Sequence, residues 1–153
     1  MPRLTRFAAV SLVVGAVAAV AACGSSSTAP TAVPDISGTW TVGASVSNAG
    51  LQVTCSLQGT ATVQQSGSNF TGNFTGSTTT CTGPGGTVVG NADGPITGGQ
   101  IVGSTVSYND GQGCAYTGTV SGTPANRIQG SATCQLALAG QTYTFTGTWT
   151  AGR

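Results

Sequence analysis

The chain has 153 residues, a formal net charge of +1 and charged side chains at only 5% of its positions, against about 25% in an ordinary soluble domain. Four basic residues are too few to neutralise a run of phosphates, so no nucleic-acid partner is expected. The sequence contains no His, Lys or Glu, which removes most general bases and metal ligands. No metal or other cofactor is therefore expected, and the abundance of glycine, threonine and β-branched residues is typical of a β protein.

Residues 1–22 predict a bacterial export signal. A basic start precedes an apolar run of 16 residues, 7–22, which is shorter than the 18 or more residues of a membrane span. The run ends Val20-Ala21-Ala22-Cys23-Gly24, and this order resembles the lipobox of bacterial lipoproteins. The resemblance implies cleavage before Cys23 and its modification by several acyl chains, palmitate among them, which together anchor a protein stably to a membrane. An ordinary signal peptide that ends near a cysteine is the alternative.

Residues 23–34 are expected to be the lipidated cysteine and a flexible tether, because Ser, Thr, Ala and Pro predominate there. Residues 35–153 then form a single domain, which is long enough for one hydrophobic core and too short for two. The predicted location is the bacterial cell envelope, with the exported protein lipid-anchored to the outer membrane and facing either the periplasm or the cell surface. The sequence does not identify a protein partner.

The domain alternates apolar and polar residues with the period of two that marks half-buried strands. In residues 51–65, for example, Leu51, Val53, Cys55 and Leu57 fall on one face. No stretch has a convincing helical period. Turn signals such as Asp110-Gly111 divide the chain. The pattern predicts about eight strands, near residues 38–47, 51–65, 69–79, 86–92, 96–108, 113–121, 127–138 and 142–151. The fifth of these could break at Gly98-Gly99.

Short connections between these strands favour an antiparallel up-and-down meander. Its apolar face can be buried by closure into a small barrel or by folding over as a β-sandwich. Closure is favoured because one pairing of the first and last strands sets small residues against large ones, with Val42 opposite Gly147 and Ala44 opposite Phe145. A membrane-spanning barrel with its apolar face outward would show the same alternation, but the aromatic residues are scattered and form no girdles.

Two short stretches carry a family resemblance. Ile36-Ser37-Gly38-Thr39-Trp40 resembles the G-x-W opening of the lipocalin and avidin-type barrels, the calycin group, and residues 70–76 are similar to the second hairpin of avidin-like proteins. The resemblance implies a barrel. The residues that follow Trp40 lack the polar groups that avidin-type proteins use for biotin, so biotin binding is not expected. By the same resemblance Arg153 would cover Trp40 at the closed end of the barrel, and a solvated C-terminal arginine is the alternative.

Cys55, Cys81, Cys114 and Cys134 are predicted to form two disulfides, because export places them in an oxidising compartment. Antiparallel pairing of residues 113–121 with 127–138 sets Cys114 opposite Cys134, within disulfide reach. Cys55 then pairs with Cys81, provided that a bulge near residues 78–80 corrects the parity of the two strands. A redox pair or a metal site is the alternative, although the chain has neither C-x-x-C spacing nor a histidine.

Catalysis is not expected, because a serine or threonine nucleophile would lack an activating base. Asp93 and Asp110 each precede a glycine, a position where aspartate commonly stabilises a turn. A glycosidase-like pair of these carboxylates, or a calcium site, has no supporting motif. The hydroxyl-rich outer face carries little charge, so we also expect the domain to associate in solution.

Two functions remain open. The first is a non-enzymatic, membrane-anchored envelope lipoprotein with a lipocalin-like barrel that binds a small apolar ligand. Its candidate cavity would be lined by the inward aromatic residues Trp40, Tyr108, Tyr116, Tyr143 and Trp149. The second is a structural or adhesive surface module with a filled core and no ligand, in which the same five residues are packing residues.

Overall fold

The computed structural model describes residues 32–138 and 140–153, so the predicted signal segment, Cys23 and most of the tether lie outside the described residues. Within the described part, no helix is long and apolar enough to cross a membrane. Nine antiparallel strands make up the domain, namely β1 (Gly38–Asn48), β2 (Val53–Ser66), β3 (Asn69–Gly83), β4 (Gly86–Asn91), β5 (Gly94–Val102), β6 (Thr105–Asp110), β7 (Cys114–Ser121), β8 (Arg127–Leu138) and β9 (Gln141–Gly152).

Eight of these strands form a closed ring in the order β1-β2-β3-β5-β6-β7-β8-β9, with β9 paired back to β1. The predicted antiparallel barrel is confirmed, and the sandwich is not adopted. The extra strand, β4, pairs with the second half of β3, from Thr78 to Gly83. The first half of β3 pairs instead with β5, so β3 has two different neighbours on the same side.

The apolar side chains of the barrel strands point inward. Strand β7 shows this most simply, with buried Cys114, Tyr116, Gly118 and Val120 alternating with exposed residues. The outward positions are mainly Thr, Ser and Gln. Burial of the apolar face inside the ring removes it from water, which is the main favourable contribution to folding.

One predicted strand is wrong, since residues 96–108 form the hairpin β5–β6. The turn lies at Gly103, whose φ of 61° is left-handed, followed by Ser104. This turn lacks the Asn-Gly or Asp-Gly pair that most clearly signals a hairpin. The suspected break at Gly98-Gly99 is instead an irregularity in the β5–β6 ladder between Thr97 and Gln100.

The predicted register between the first and last strands is also wrong, by four residues. Ala44 pairs with Trp149 and not with Phe145, and Val46 pairs with Gly147. The even shift keeps every side chain on its expected face, and small residues still oppose large ones. Gly147 permits the close approach of the two strands in this register, because a Cβ there would lie 2.7 Å from Cα of Val46.

Both predicted disulfides are present, Cys55–Cys81 and Cys114–Cys134. The predicted β7–β8 register is confirmed. The bulge that Cys55–Cys81 requires is present, but it precedes the predicted residues 78–80 and lies where Gly59 of β2 faces Gly76 and Ser77 of β3. Gly59 makes room for the bulge, since a Cβ there would lie 2.8 Å from Cα of Ser77.

The barrel has two unlike ends. The closed end holds the N-terminal segment 32–37, the C-terminal Arg153 and the turns 66–69, 102–105 and 121–127. The open end holds the turns 48–53, 83–86, 91–94 and 110–114 together with both disulfides.

Candidate functional site

The closed end is sealed by a tryptophan and an arginine. Trp40 is 1% exposed, and its Nε1 donates to the carbonyl oxygen of Ile36 at 2.8 Å. The Cζ atom of Arg153 lies 4.3 Å from the centroid of the Trp40 ring, a cation–π distance. The guanidinium also donates to the carbonyl oxygens of Ala125 at 2.7 Å, Asp35 at 3.0 Å and Ser37. Arg153 therefore covers Trp40, as the calycin resemblance implied, and is not freely solvated.

An aromatic cluster fills the middle of the barrel. The rings of Tyr108 and Tyr116 stack with their centroids 4.7 Å apart, and Trp149 meets both rings edge-on, at 5.4 and 5.8 Å. Phe70 packs against Tyr108 as well, at 6.0 Å. Below this cluster only about 20 Å³ stays empty, enough for about one water molecule. The lower half of the barrel is thus a filled core.

The upper half, in contrast, contains a cavity of about 260 Å³. Tyr116 contributes to its wall, where the aromatic cluster ends, and both disulfides line it. Its other apolar residues include Val46, Leu57 and Leu136, and polar residues gather near the 110–114 turn. The complete lining is Ala44, Val46, Cys55, Ser56, Leu57, Thr79, Cys81, Val88, Gly90, Asn91, Ala92, Asp110, Gln112, Cys114, Tyr116, Cys134 and Leu136.

Strand pairing explains why this half is not filled. The second half of β3 pairs with β4, whereas β5 pairs with the first half, so β4 and β6 are not hydrogen-bonded neighbours at the open end. Val88 of β4 lines the cavity and is nevertheless 71% exposed. Small side chains at Ala44, Gly90 and Ala92 leave the remaining space empty.

Asp110 supplies a carboxylate to this cavity. Its Oδ1 accepts hydrogen bonds from the backbone N–H groups of Gln112 at 2.9 Å and Cys114 at 2.8 Å. Its Oδ2 accepts the hydroxyl of Tyr116 at 3.0 Å. Burial raises the pKa of Tyr116, and the neighbouring Asp110 raises it further. Tyr116 therefore remains a neutral hydrogen-bond donor to the carboxylate at physiological pH.

Asp93 lies at the same end but does not line the cavity. Its Oδ1 accepts the backbone N–H of Ser77 at 2.7 Å, and its Oδ2 accepts the side-chain amide of Asn91 at 3.0 Å. These hydrogen bonds, led by that of Asn91, lower the pKa of Asp93. Asp93 thereby fastens the turn after β4 to the bulge of β3. No cluster of three or more His, Cys, Asp or Glu residues occurs in the part of the chain that the structure describes.

The five aromatic residues predicted from the sequence lie in different parts of the barrel. Tyr116 lines the open-end cavity, whereas Trp40, Tyr108 and Trp149 lie in the filled half. Tyr143 is half-buried opposite Leu136, and its hydroxyl donates to Gln141 at 2.7 Å. Sequence reasoning did not single out Leu57, Leu136 or Asp110 as cavity residues. The only feature of the sequence that could have identified them is position, because each lies close in the chain to a cysteine or to a turn at the open end.

The fold and site together define a small antiparallel barrel with one sealed end and one cavity-bearing end, consistent with a calycin-like barrel. The chain matches no protein-family model and no curated protein sequence. The two disulfides are compatible with an extracytoplasmic location, where such bonds form and persist.

Proposed function

We propose that this domain is a non-enzymatic binding protein for a small apolar ligand, which it holds in the open-end cavity. The observation that carries the proposal is a concave, mainly apolar space of about 260 Å³ at the open end of a barrel whose other half is filled. Sites for small ligands are typically concave and mostly apolar, with a few polar groups. The volume is close to the lower end of ligand pockets, about 300 Å³, so the ligand is small.

The affinity expected of such a site is modest. An eight-carbon chain that leaves water gains about 0.8 kcal/mol for each CH₂ group, or roughly 6 kcal/mol in all. That gain corresponds to a dissociation constant of tens of micromolar at best. Tyr116 and Leu136 supply aromatic and aliphatic contact surface, and the disulfides hold the strands that carry these walls. A cavity that is formed before the ligand arrives loses little of this gain to ordering.

The absence of catalysis is part of the proposal. The only carboxylate that lines the cavity, Asp110, is occupied by two backbone N–H groups and a tyrosine hydroxyl. The sequence offers no histidine or lysine to act as a base, and serine hydroxyls need one to become nucleophiles. Binding without reaction is what this set of groups supports.

We further propose that Cys23 anchors the domain to the cell envelope through its acyl chains. The described chain begins at the closed end, where the amide side chain of Gln65 bonds both the N–H of Ile36 and the carbonyl oxygen of Pro34. The cavity is at the opposite end of the barrel. A tether that joins the barrel at the closed end leaves the cavity free to face away from the membrane.

Calorimetric titration of the disulfide-bonded protein with 1-octanol tests the binding proposal. We expect saturable 1:1 binding that Leu136→Trp abolishes, because the indole fills the cavity. Val102→Trp is the matched control, since it adds the same side chain at a position that is 76% exposed at the closed end. The proposal would be overturned if the heat of octanol binding does not saturate in the wild-type protein, or if saturable binding remains in a folded Leu136→Trp variant. Either result would favour the structural or adhesive module.

A further inference from the structure

Charge is divided unevenly between the two ends of the barrel. Residues 32–153 carry five charged side chains, and both arginines lie at the closed end with Asp35. Arg127 opens β8 opposite Gly152, and Arg153 covers Trp40. The open end holds only Asp93 and Asp110. The cavity therefore opens into a region of negative potential that no basic side chain of these residues offsets.

Asp110 brings this charge to the wall of the cavity itself. Its Oδ1 is satisfied by two backbone N–H groups, whereas its Oδ2 accepts only the hydroxyl of Tyr116. A carboxylate oxygen can accept two hydrogen bonds, so Oδ2 retains an acceptor position. The side chain is half-buried and stands beside apolar walls, where charges interact more strongly than in open water.

Resting on the binding function proposed above, we propose that the ligand is a small amphipathic cation with an aliphatic body and an amine head. The body lies among Val46, Leu57 and Leu136, and the ammonium group donates to Oδ2 of Asp110. An aliphatic carboxylate of the same length is disfavoured, because its head would face the two aspartates without a cation to pair with it. The side-chain amides of Asn91 and Gln112 are further polar groups at this rim.

Three ligands with the same octyl chain isolate the contribution of the head group: octylammonium, 1-octanol and nonanoate, each titrated calorimetrically at neutral pH and low salt. We expect octylammonium to bind about tenfold more tightly than octanol and nonanoate to bind most weakly, a difference of about 1.4 kcal/mol for each tenfold step. In the Asp110→Asn variant, the affinities for octylammonium and octanol should differ by no more than about twofold. The side-chain oxygen of the asparagine can still accept the hydrogen bonds of the turn. Asp35→Asn is the matched control, since it removes one negative charge at the closed end.

Salt provides a second measurement that needs no variant. Raising NaCl from about 20 mM to about 500 mM should weaken octylammonium binding severalfold and leave octanol binding unchanged or slightly stronger, because only the first depends on charge. Equal affinity for octylammonium and octanol in the wild-type protein, or a preference that survives Asp110→Asn, would overturn the inference while leaving the binding function intact. Failure of all three ligands to bind would instead overturn the binding function.

Discussion

The closed and open ends of this barrel are stabilised in different ways. At the closed end, Trp40 is sealed beneath Arg153, and almost no empty space remains. At the open end, two disulfides join neighbouring strands around a cavity of about 260 Å³. The covalent bonds thus lie where packing is poorest. A domain rich in glycine loses much chain entropy on folding, and cross-links offset part of that loss where side chains do not.

The comparison also separates stability from function. A filled core cannot accept a ligand without repacking, which costs about 1–3 kcal/mol or more when a core is overfilled. The open end avoids that cost because its walls are held by Cys55–Cys81 and Cys114–Cys134. Changes at the closed end should therefore alter the free energy of unfolding and leave ligand affinity unchanged, whereas changes at the open end should affect both.

Loss of both disulfides should have the largest effect. Each bridge spans a loop of 20 to 26 residues, and the chain-entropy model assigns each about 3–4 kcal/mol. We expect urea denaturation of the variant with all four cysteines replaced by alanine to show loss of most or all cooperative folding. Single-pair variants should retain a cooperative transition with a lower midpoint and weaker octanol binding. Unchanged midpoints would contradict the account of the open end.

Trp40→Ala should lower the free energy of unfolding by about 3–5 kcal/mol, the usual cost of truncating a buried aromatic residue. Arg153→Ala should cost less, about 1–2 kcal/mol, because it removes a cation–π contact and hydrogen bonds but leaves the indole in place. Both are measured by urea denaturation. Variants that fold should bind 1-octanol with wild-type affinity. A large loss of octanol affinity in Arg153→Ala would show that the two ends are coupled.

The tyrosine cluster predicts loss of stability at alkaline pH. Burial raises the pKa of Tyr108 well above the ordinary value of a tyrosine, and it also raises that of Tyr116. A folded-state pKa above that of the unfolded chain gives stability that is complete below pH 10 and is lost progressively above it. In a Tyr143→Phe variant, absorbance at 295 nm should show the two remaining phenols ionising only as near-UV circular dichroism is lost. Ionisation without unfolding would contradict the observed burial.

The smallest effect on stability is expected at β4. This strand has no charge or proline, and among the described strands it pairs only with β3. Such an edge favours association of copies. Val89, 64% exposed, should tolerate replacement by lysine within about 0.5 kcal/mol. Sedimentation should show less association in Val89→Lys than in Val102→Lys, the control valine at the closed end. Equal association in the two variants would show that β4 does not mediate it.

The sequence predicts local features of this fold better than long-range ones. Cys114–Cys134 follows from the short β7–β8 connection, whose register a few alternating residues determine. The β1–β9 pairing joins strands far apart in the chain, and alternation defines the face of Ala44 but not its partner. The turn at Gly103-Ser104 escaped prediction although Gly-Ser is a recognised hairpin pair, because Gly98-Gly99 competes with it as a break in the same stretch.

The cavity was less predictable than the fold, because it depends on which strand β3 pairs with at each end. The β4 strand was expected near residues 86–92, but alternation does not show that it displaces β5 from the second half of β3. Aromatic residues were the natural candidates for a cavity lining, since they supply large contact areas. Three of the five instead fill the core, and the lining comes from smaller residues such as Leu57 and Leu136.

Xenon binding in crystals of the disulfide-bonded protein tests the difference between the two ends most directly, since xenon enters apolar cavities large enough to hold it. The account predicts a xenon atom at the open end, among Leu57, Tyr116 and Leu136, and none beside Trp40. An open end without xenon, or xenon lodged next to Trp40, would contradict the division into a filled half and a ligand-binding half.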